Sequence, residues 1–202
     1  MHKWWTGLKD AINTAEELLQ GEDARPVIGL ALSGGGERGL AHIGVLAVLE
    51  ENGIQPGVIT GTSAGSIIGA FAAAGWDSQQ ILQSARAIQW GKIRRFNWSN
   101  NMGLLKSDAV TDWMISLFGK DITFDELELP FTAIAADLLT GEEIRMSSGS
   151  VANAVRASCA IPGIFTPIQT EDGRLLVDGG IVNNMPVDVA FQLGANYVIG
   201  VD

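Results

Sequence analysis

A serine held between two glycines is the first feature of this chain that could do chemistry. The run GTSAG at 61–65 follows a short apolar segment and precedes the charge-free segment 64–75. In a strand–turn–helix, G-x-S-x-G spacing projects the serine hydroxyl at the carboxyl edge of a sheet, and the glycines let strand and helix approach closely. The pattern predicts Ser63 as a nucleophile, with Gly61 and Gly65 forming its turn. The alternative is a small-residue turn needed only for packing.

A second glycine-rich run, GGGERG at 34–39, lies between an apolar segment and a helical pattern. Its G-x-G-x-x-G spacing fits a dinucleotide-binding loop, but that fingerprint needs a carboxylate at the end of the next strand, where this chain has Ser63. Backbone N–H groups at such a turn can instead converge on an anionic oxygen. Because both runs follow successive strands, we predict an oxyanion-binding loop beside the serine, with steric packing alone as the alternative. Its glycines are Gly34, Gly35, Gly36 and Gly39.

A serine nucleophile needs a base, and the histidines are poor candidates for it. His2 lies at the terminus, and His42 lies in a helical pattern where a core or boundary position is expected. Neither follows Ser63, as the histidine of an α/β-hydrolase triad does. The run DGG at 178–180 follows an apolar segment and, taken alone, is most often a hairpin turn. Only in company with the other two motifs does Asp178 become a candidate base, since burial beside Ser63 could let the carboxylate accept a proton.

Composition excludes several other kinds of protein. The 202 residues are 47% hydrophobic and 18% charged, which suits one folded domain rather than a disordered chain. One Cys excludes an internal disulfide framework, and two distant His leave no His-pair metal motif, so no metal or cofactor is expected. There is no apolar run of about 20 residues and no signal-peptide pattern, so we expect a cytoplasmic setting. The net charge of -10 disfavours nucleic acid as a partner.

The elements that must position these motifs alternate along the chain. Apolar spacing predicts an amphipathic helix and linker in residues 1–25, followed by one domain in 26–202. Within the domain, predicted strands lie at 27–33, 58–61, 131–136, 142–146, 174–177 and 196–201, with helices between most of them. This alternation predicts an α/β fold with a mostly parallel sheet. Because the chain stops directly after an apolar strand, we expect the native domain to continue past Asp202.

A basic, aromatic window lies inside this acidic chain. Segment 78–107 has no Asp or Glu and a net charge of +5, so the rest of the chain has a net charge of -15. The window is a candidate contact for lipid headgroups, because Trp favours interfaces and cations attract anionic lipid. A solvated helix–loop with its aromatics in the core is the alternative. The N-terminal helix lacks a basic excess, so packing on the domain or covering the site is its expected role. The residues singled out in the window are Trp90, Lys92, Arg94, Arg95 and Trp98.

Taken together, the three motifs resemble the patatin-like phospholipase family, in its bacterial branch related to neuropathy target esterase. The similarity lies in the order of GGGERG, GTSAG and DGG, and extends to ASCAIPGIF at 157–165 and DLLTGE at 137–142. It covers residues 27–202. The resemblance implies a three-layer α/β/α patatin-like fold whose central sheet is mostly parallel.

The resemblance also implies a lipid acyl hydrolase with a Ser–Asp dyad, acting on phospholipid or lysophospholipid esters. Ser63 would be the nucleophile and Asp178 the base, with Gly179 and Gly180 completing the Asp-Gly-Gly motif. Amides near Gly35 and Gly36 would hold the oxyanion, and Arg38 would support the loop. We expect a lipid or ester substrate, peripheral contact at the inner face of the membrane and no nucleic acid. The alternative is a nucleotide- or lipid-binding module that kept the fold without turnover.

Overall fold

A computed structural model describes residues 26–87 and 108–202. The strands in these ranges are β1 (Ile28–Leu32), β2 (Val58–Thr62), β3 (Phe131–Asp137), β4 (Glu143–Met146), β5 (Ile168–Gln169), β6 (Leu175–Asp178) and β7 (Tyr197–Val201). The α-helices are α1 (Ala41–Glu51), α2 (Ala64–Ala73), α3 (Ser78–Ala87), α4 (Asp108–Phe118), α5 (Val151–Ser158) and α6 (Val187–Gln192). The predicted N-terminal helix lies outside the described residues, and so does the part of the basic window from Trp90 to Trp98.

The strands form one mixed sheet in the order β5-β6-β3-β2-β1-β7, with β4 also paired to β3. The block β7-β1-β2-β3 is parallel, whereas β4 and β6 run antiparallel to β3. Parallel neighbours need a crossover, and α1 supplies it between β1 and β2. The predicted α/β fold is therefore confirmed. Strand β5 was not predicted, because two residues are too short for a recognisable pattern.

Helices cover both faces of the sheet, as the alternating side chains of β1 show. Leu30 and Leu32 are fully buried in the larger core beneath α1 and α2. Gly29 points the other way, where an added Cβ would lie 2.8 Å from the Cβ of Ala195, just after α6. The sheet thus forms the middle of three layers. Among the described residues, no helix combines the length and the apolar character needed to cross a bilayer.

Candidate active site

Ser63 lies at the tight turn between the end of β2 and the start of α2. Its backbone has φ 51° and ψ -122°, and no other non-glycine residue in the described ranges has a positive φ. A serine held in this sparsely populated region is strained by about 1–3 kcal/mol, a cost that proteins retain mainly at functional sites. The Ser63 carbonyl oxygen accepts the Ser66 amide at 2.9 Å and the Ser66 hydroxyl at 2.6 Å, which fixes the turn from the helix side.

The glycines on either side of Ser63 are required by close backbone approach. A Cβ added at Gly65 would lie 2.2 Å from the carbonyl oxygen of Leu32 in β1. A Cβ added at Gly61 would lie 2.5 Å from the carbonyl oxygen of Gly65. No side chain fits at these distances, so both positions need glycine for the strand and helix to meet at this angle.

Asp178 is the last residue of β6, and the pairing of β6 with β3 places it level with Ser63 along the sheet. Thr62, which precedes Ser63, is in register with Ile134 of β3, and Asp178 is in register with the next residue, Ala135. The DGG run is therefore not a hairpin turn. Asp178 caps a short 3₁₀ turn, its Oδ1 accepting the Gly180 amide at 2.8 Å. A Cβ at Gly179 would lie 2.4 Å from the Ile134 carbonyl oxygen, which explains the first glycine after Asp178.

The environment of Asp178 shifts its acidity. The residue is 6% exposed, and this burial raises the pKa of the carboxyl group above its ordinary value because the charged form loses hydration. Hydrogen bonds from the Ser63 hydroxyl and from the Gly180 amide lower the pKa and oppose that shift. The structure thus brings together the two side chains that the sequence proposed as nucleophile and base.

The glycine loop packs directly against the serine turn. A Cβ at Gly34 would lie 3.1 Å from the Cβ of Ser63, and one at Gly39 would lie 2.4 Å from the Cβ of Ala64. The Gly34 amide donates to the Asn184 carbonyl oxygen at 3.1 Å, so it is not available to a ligand. No backbone carbonyl in the described part of the chain accepts the Gly35 or Gly36 amide. These two amides are the loop's candidate donors to an anionic oxygen.

Arg38 contributes to this loop through its backbone as well as its charge. Its amide donates to the Gly35 carbonyl oxygen at 3.2 Å and closes the turn, while Gly36 takes the left-handed conformation with φ 57°. The exposed Arg38 side chain lines a polar cleft together with Asn184 and Asp202. The cationic side chain therefore lies in the same cleft as Gly34 and Gly35 of the glycine loop.

Comparison with known proteins places this arrangement in a family. The family model described as patatin-like phospholipase matches residues 30–191. The chain belongs to the patatin-like phospholipase family. It is 36% identical over 177 residues to an uncharacterized NTE family protein of Mycobacterium tuberculosis, covering 87% of this chain and 49% of that protein. It is 33% identical over 185 residues to neuropathy target esterase sws of Drosophila melanogaster, covering 87% of this chain and 13% of that protein.

The match covers about half the length of three of the mycobacterial relatives and 30% of the length of three others. Its fold is similar to that of VipD from Legionella pneumophila, with a TM-score of 0.64 at 15% sequence identity. That match covers 80% of this chain and 47% of VipD. The predicted resemblance to the patatin-like family, in its NTE-related branch, is confirmed.

Ser158 is a residue of this patatin-like site that sequence reasoning did not single out. Its hydroxyl accepts the Ser63 amide at 2.9 Å and donates to the Ile134 carbonyl oxygen at 2.6 Å. The side chain is fully buried at the end of α5. The signal available in the sequence was its place in the ASCAIPGIF block, which gives no hint of a contact with a residue 95 positions away.

Two threonines of β2 tie the segment after the DGG run to the patatin-like core. Thr60 Oγ1 donates to the Pro186 carbonyl oxygen at 2.9 Å, and Thr62 Oγ1 donates to the Asn183 carbonyl oxygen at 2.8 Å. Both threonines are fully buried. The segment after Asp178 is therefore hydrogen-bonded to β2, the strand that precedes Ser63. These bonds limit the movement of Asp178 relative to Ser63.

His42 and Cys159 do not supply the base or the nucleophile of this candidate site. His42 is buried, in agreement with the core or boundary position expected from the sequence, and its Nε2 lies 2.8 Å from the Ser33 carbonyl oxygen. Cys159 Sγ lies 4.0 Å from Ser66 Oγ. Burial and then the Asp178 charge raise the pKa of the Cys159 thiol to about 12, which keeps it protonated at neutral pH. His2 lies outside the described residues.

Proposed function

We propose that this chain is a serine acyl hydrolase that cleaves carboxylic ester bonds of phospholipids or lysophospholipids through an acyl-enzyme. The observation that carries the proposal is Ser63 on a strained turn beside the buried carboxyl group of Asp178, whose pKa the Ser63 hydroxyl lowers. Membership of the patatin-like phospholipase family supports a lipid ester as the substrate. No cofactor takes part in the steps that follow.

In the first step, Ser63 Oγ attacks the ester carbonyl carbon while its proton passes to the Asp178 carboxylate. The raised pKa of Asp178 favours this transfer, because the acid and the hydroxyl become closer in proton affinity. The carbonyl oxygen becomes an oxyanion, held by the amides of Gly35 and Gly36 and by the N-terminus of α2. When the C–O bond breaks, Asp178 returns the proton to the departing alkoxide.

In the second step, water hydrolyses the acyl-enzyme. Asp178 takes a proton from the water as its oxygen attacks the acyl carbon, and the oxyanion forms again at the same amides. Collapse of this intermediate releases the fatty acid and returns the proton to Ser63. One carboxylate thus serves both half-reactions without a histidine.

The alternative function is a non-catalytic nucleotide- or lipid-binding module. The end of β2, where a dinucleotide-binding fold needs a carboxylate for the ribose, instead carries Ser63. The backbone strain at that serine also has no purpose in a passive binding loop. These two observations favour the hydrolase.

A fluorophosphonate probe tests the proposal, because it forms a covalent bond with an activated serine. We expect one adduct on the parent chain, no adduct on Ser63→Ala and strongly reduced labelling of Asp178→Asn. Ser116→Ala and Asp125→Asn change exposed residues away from the site and serve as matched controls with parental labelling. No labelling of the parent chain, or an adduct that persists in Ser63→Ala, would overturn the proposal.

We also propose a cytoplasmic protein that contacts the inner face of the membrane through the basic window. Its support is the +5 charge of segment 78–107 in a chain of net charge -10. Replacing Lys92, Arg94 and Arg95 by serine should weaken binding to anionic vesicles at low salt. Binding equal to that of the parent chain would contradict this part of the proposal.

A further inference from the structure

Exposed apolar side chains are concentrated in three loops of the described part of the chain. Eleven large apolar side chains are exposed among the described residues, and six of them belong to these loops. The loops follow β3, α5 and β6. A single exposed apolar residue is ordinary, whereas a group of them at one place marks a contact surface. The six residues, named here the apolar rim, are Leu138, Leu139, Ile161, Ile164, Ile181 and Val182.

All three loops are joined to β6, the strand that ends at Asp178. The Asp178 amide donates to the carbonyl oxygen of Ala160, the residue before Ile161, at 2.9 Å. The Leu138 amide donates to the carbonyl oxygen of Leu175, the first residue of β6, at 2.8 Å. The third loop continues directly from Asp178 through its 3₁₀ turn. The apolar rim is therefore arranged around the strand that carries the proposed base.

The loop after β3 extends past the serine turn at the carboxyl edge of the sheet. Thr62, the residue before Ser63, is in parallel register with Ile134 of β3. Leu138 lies four residues further along the chain, and a strand rises about 3.3 Å per residue. The loop thus reaches about 13 Å beyond the level of Thr62, on the side toward which β2 runs. A surface that approaches Ser63 from this edge meets the loop first.

The chemistry of the rim favours lipid over a protein partner. Segments 138–141, 157–170 and 179–187 contain no Asp, Glu, Lys or Arg, although 18% of the chain is charged. Anionic headgroups repel a chain of net charge -10, and an uncharged surface avoids that repulsion. All six rim side chains are aliphatic, whereas protein–protein interfaces are enriched in aromatic residues and Arg. The substrate of the proposed hydrolase is itself a lipid.

We propose that the apolar rim inserts into the lipid surface that carries the substrate, so that the loops around Ser63 and Asp178 meet the lipid directly. The inference rests on the proposed hydrolase function and adds the surface through which the site reaches its substrate. Aliphatic burial drives this contact, so it needs no anionic lipid and does not weaken as salt is added. In both respects it differs from the contact proposed for the basic window.

The binding test uses vesicles of ether-linked phosphatidylcholine, which has no net charge and no acyl ester, with the full chain carrying Ser63→Ala. We expect cosedimentation that is unchanged between about 0.05 M and about 0.5 M salt. Adding Leu139→Asp and Ile181→Asp should weaken the binding at least about tenfold. Phe191→Asp is the matched control and should bind like its parent. Phe191 is an exposed residue that follows Ala190, which packs against Val58 at the opposite edge of the sheet.

A fluorescent label locates the contact. An environment-sensitive dye on Leu139→Cys should shift to shorter wavelength when vesicles are added, and the same dye on Phe191→Cys should not. Cys159 has a thiol pKa of about 12 and does not compete for the dye. Equal shifts at the two positions would overturn the proposal.

The remaining outcomes separate the rim from other occupants and from the catalytic proposal. Binding that Leu139→Asp with Ile181→Asp leaves unchanged would place the lipid contact elsewhere. A fall in unfolding free energy in that variant, or dissociation of a parent dimer, would show that the chain or a second copy covers the rim, and either would overturn the proposal. Fluorophosphonate labelling decides the hydrolase independently. A chain that labels without rim-dependent binding keeps the hydrolase and loses the rim, and the reverse result does the opposite.

Discussion

The Ser158 hydroxyl accepts the backbone amide of Ser63 at 2.9 Å, which ties the strained turn to the end of α5. The same hydroxyl donates to the carbonyl oxygen of Ile134 at 2.6 Å, in the strand that also positions Asp178. One buried side chain thus connects the backbone of the proposed nucleophile to the strand beside its proposed base. A turn whose φ is unfavourable persists only where the surrounding contacts determine it.

Ser158→Ala should therefore weaken both the fold and the turn. The substitution leaves the Ser63 amide and the Ile134 carbonyl oxygen without their buried partner, a loss of about 1–3 kcal/mol in the free energy of unfolding. We expect kcat to fall at least tenfold with little change in KM, because the turn loses its alignment while the rest of the site is unchanged. Urea unfolding and ester hydrolysis kinetics measure the two effects.

Ser150→Ala is the control for that loss of stability. Ser150 caps the other end of α5, accepting the Asn153 amide at 3.1 Å, and its removal should cost about 1 kcal/mol. If Ser150→Ala lowers kcat as much as Ser158→Ala does, the kinetic effect follows from stability alone and the positioning role is wrong.

A pair of glycine substitutions tests the close packing around the serine turn. Gly65→Ala forces a Cβ to within 2.2 Å of the Leu32 carbonyl oxygen, so we expect a loss of about 3 kcal/mol or more in unfolding free energy. Gly44→Ala lies in α1 where an added Cβ meets nothing within 4 Å, and should raise stability by about 0.5–1 kcal/mol. If the two substitutions change the free energy of unfolding by the same amount, the close approach of Gly65 to Leu32 is wrong.

The pKa of Asp178 should determine how the activity falls at low pH. Catalysis needs the carboxylate, so activity should fall as the pH drops through a pKa that burial has raised above the ordinary value. The half-activity pH of kcat/KM should accordingly lie above that of an unperturbed Asp, near 3.9. Activity that stays constant down to pH 4 would exclude Asp178 as the base.

The same shift has the opposite consequence for stability. A carboxyl group whose pKa is raised in the folded state contributes stability below its unfolded pKa, and this contribution is lost as the pH rises through the folded pKa. Asp178→Asn carries no charge at any pH, so its stability relative to the parent chain should increase from pH 4 to pH 8. Asp125→Asn, at an exposed position, is the charge-matched control for the melting temperatures.

Much of the fold was predictable because its signals are local. Strand β1 and the charge-free helix α2 follow from runs of apolar residues, and the turn between β2 and α2 follows from the spacing of Gly61, Ser63 and Gly65. The meeting of Ser63 and Asp178 depends on register with adjacent residues of β3, which no local pattern encodes. The three motifs indicated that meeting only through their joint resemblance to a family.

The parts that were not predicted depend on long-range contacts. Ser158 touches Ser63 across 95 residues, and a serine at the end of a helix has no sequence signature for such a contact. A small apolar cavity lined by Gly39, Ala64 and Ile67 likewise needs α2, α3 and α4 to pack around it, and their apolar faces alone do not distinguish a filled core from a cavity. Side-chain identity predicts which faces are buried, but the space left between them is set by tertiary packing.

Cys159 provides the last test, because it is the one cysteine of the chain and any adduct is therefore assigned directly. With a thiol pKa of about 12, the thiolate fraction at pH 8 is small, and alkylation by iodoacetamide should be about a thousandfold slower than in the urea-unfolded chain. The Asp178 charge contributes to the raised pKa, so Asp178→Asn should alkylate faster than the parent chain while both remain folded. Intact mass spectrometry over time measures these rates. Rapid alkylation of the folded parent chain would show that the thiol is neither shielded nor held protonated beside the proposed nucleophile.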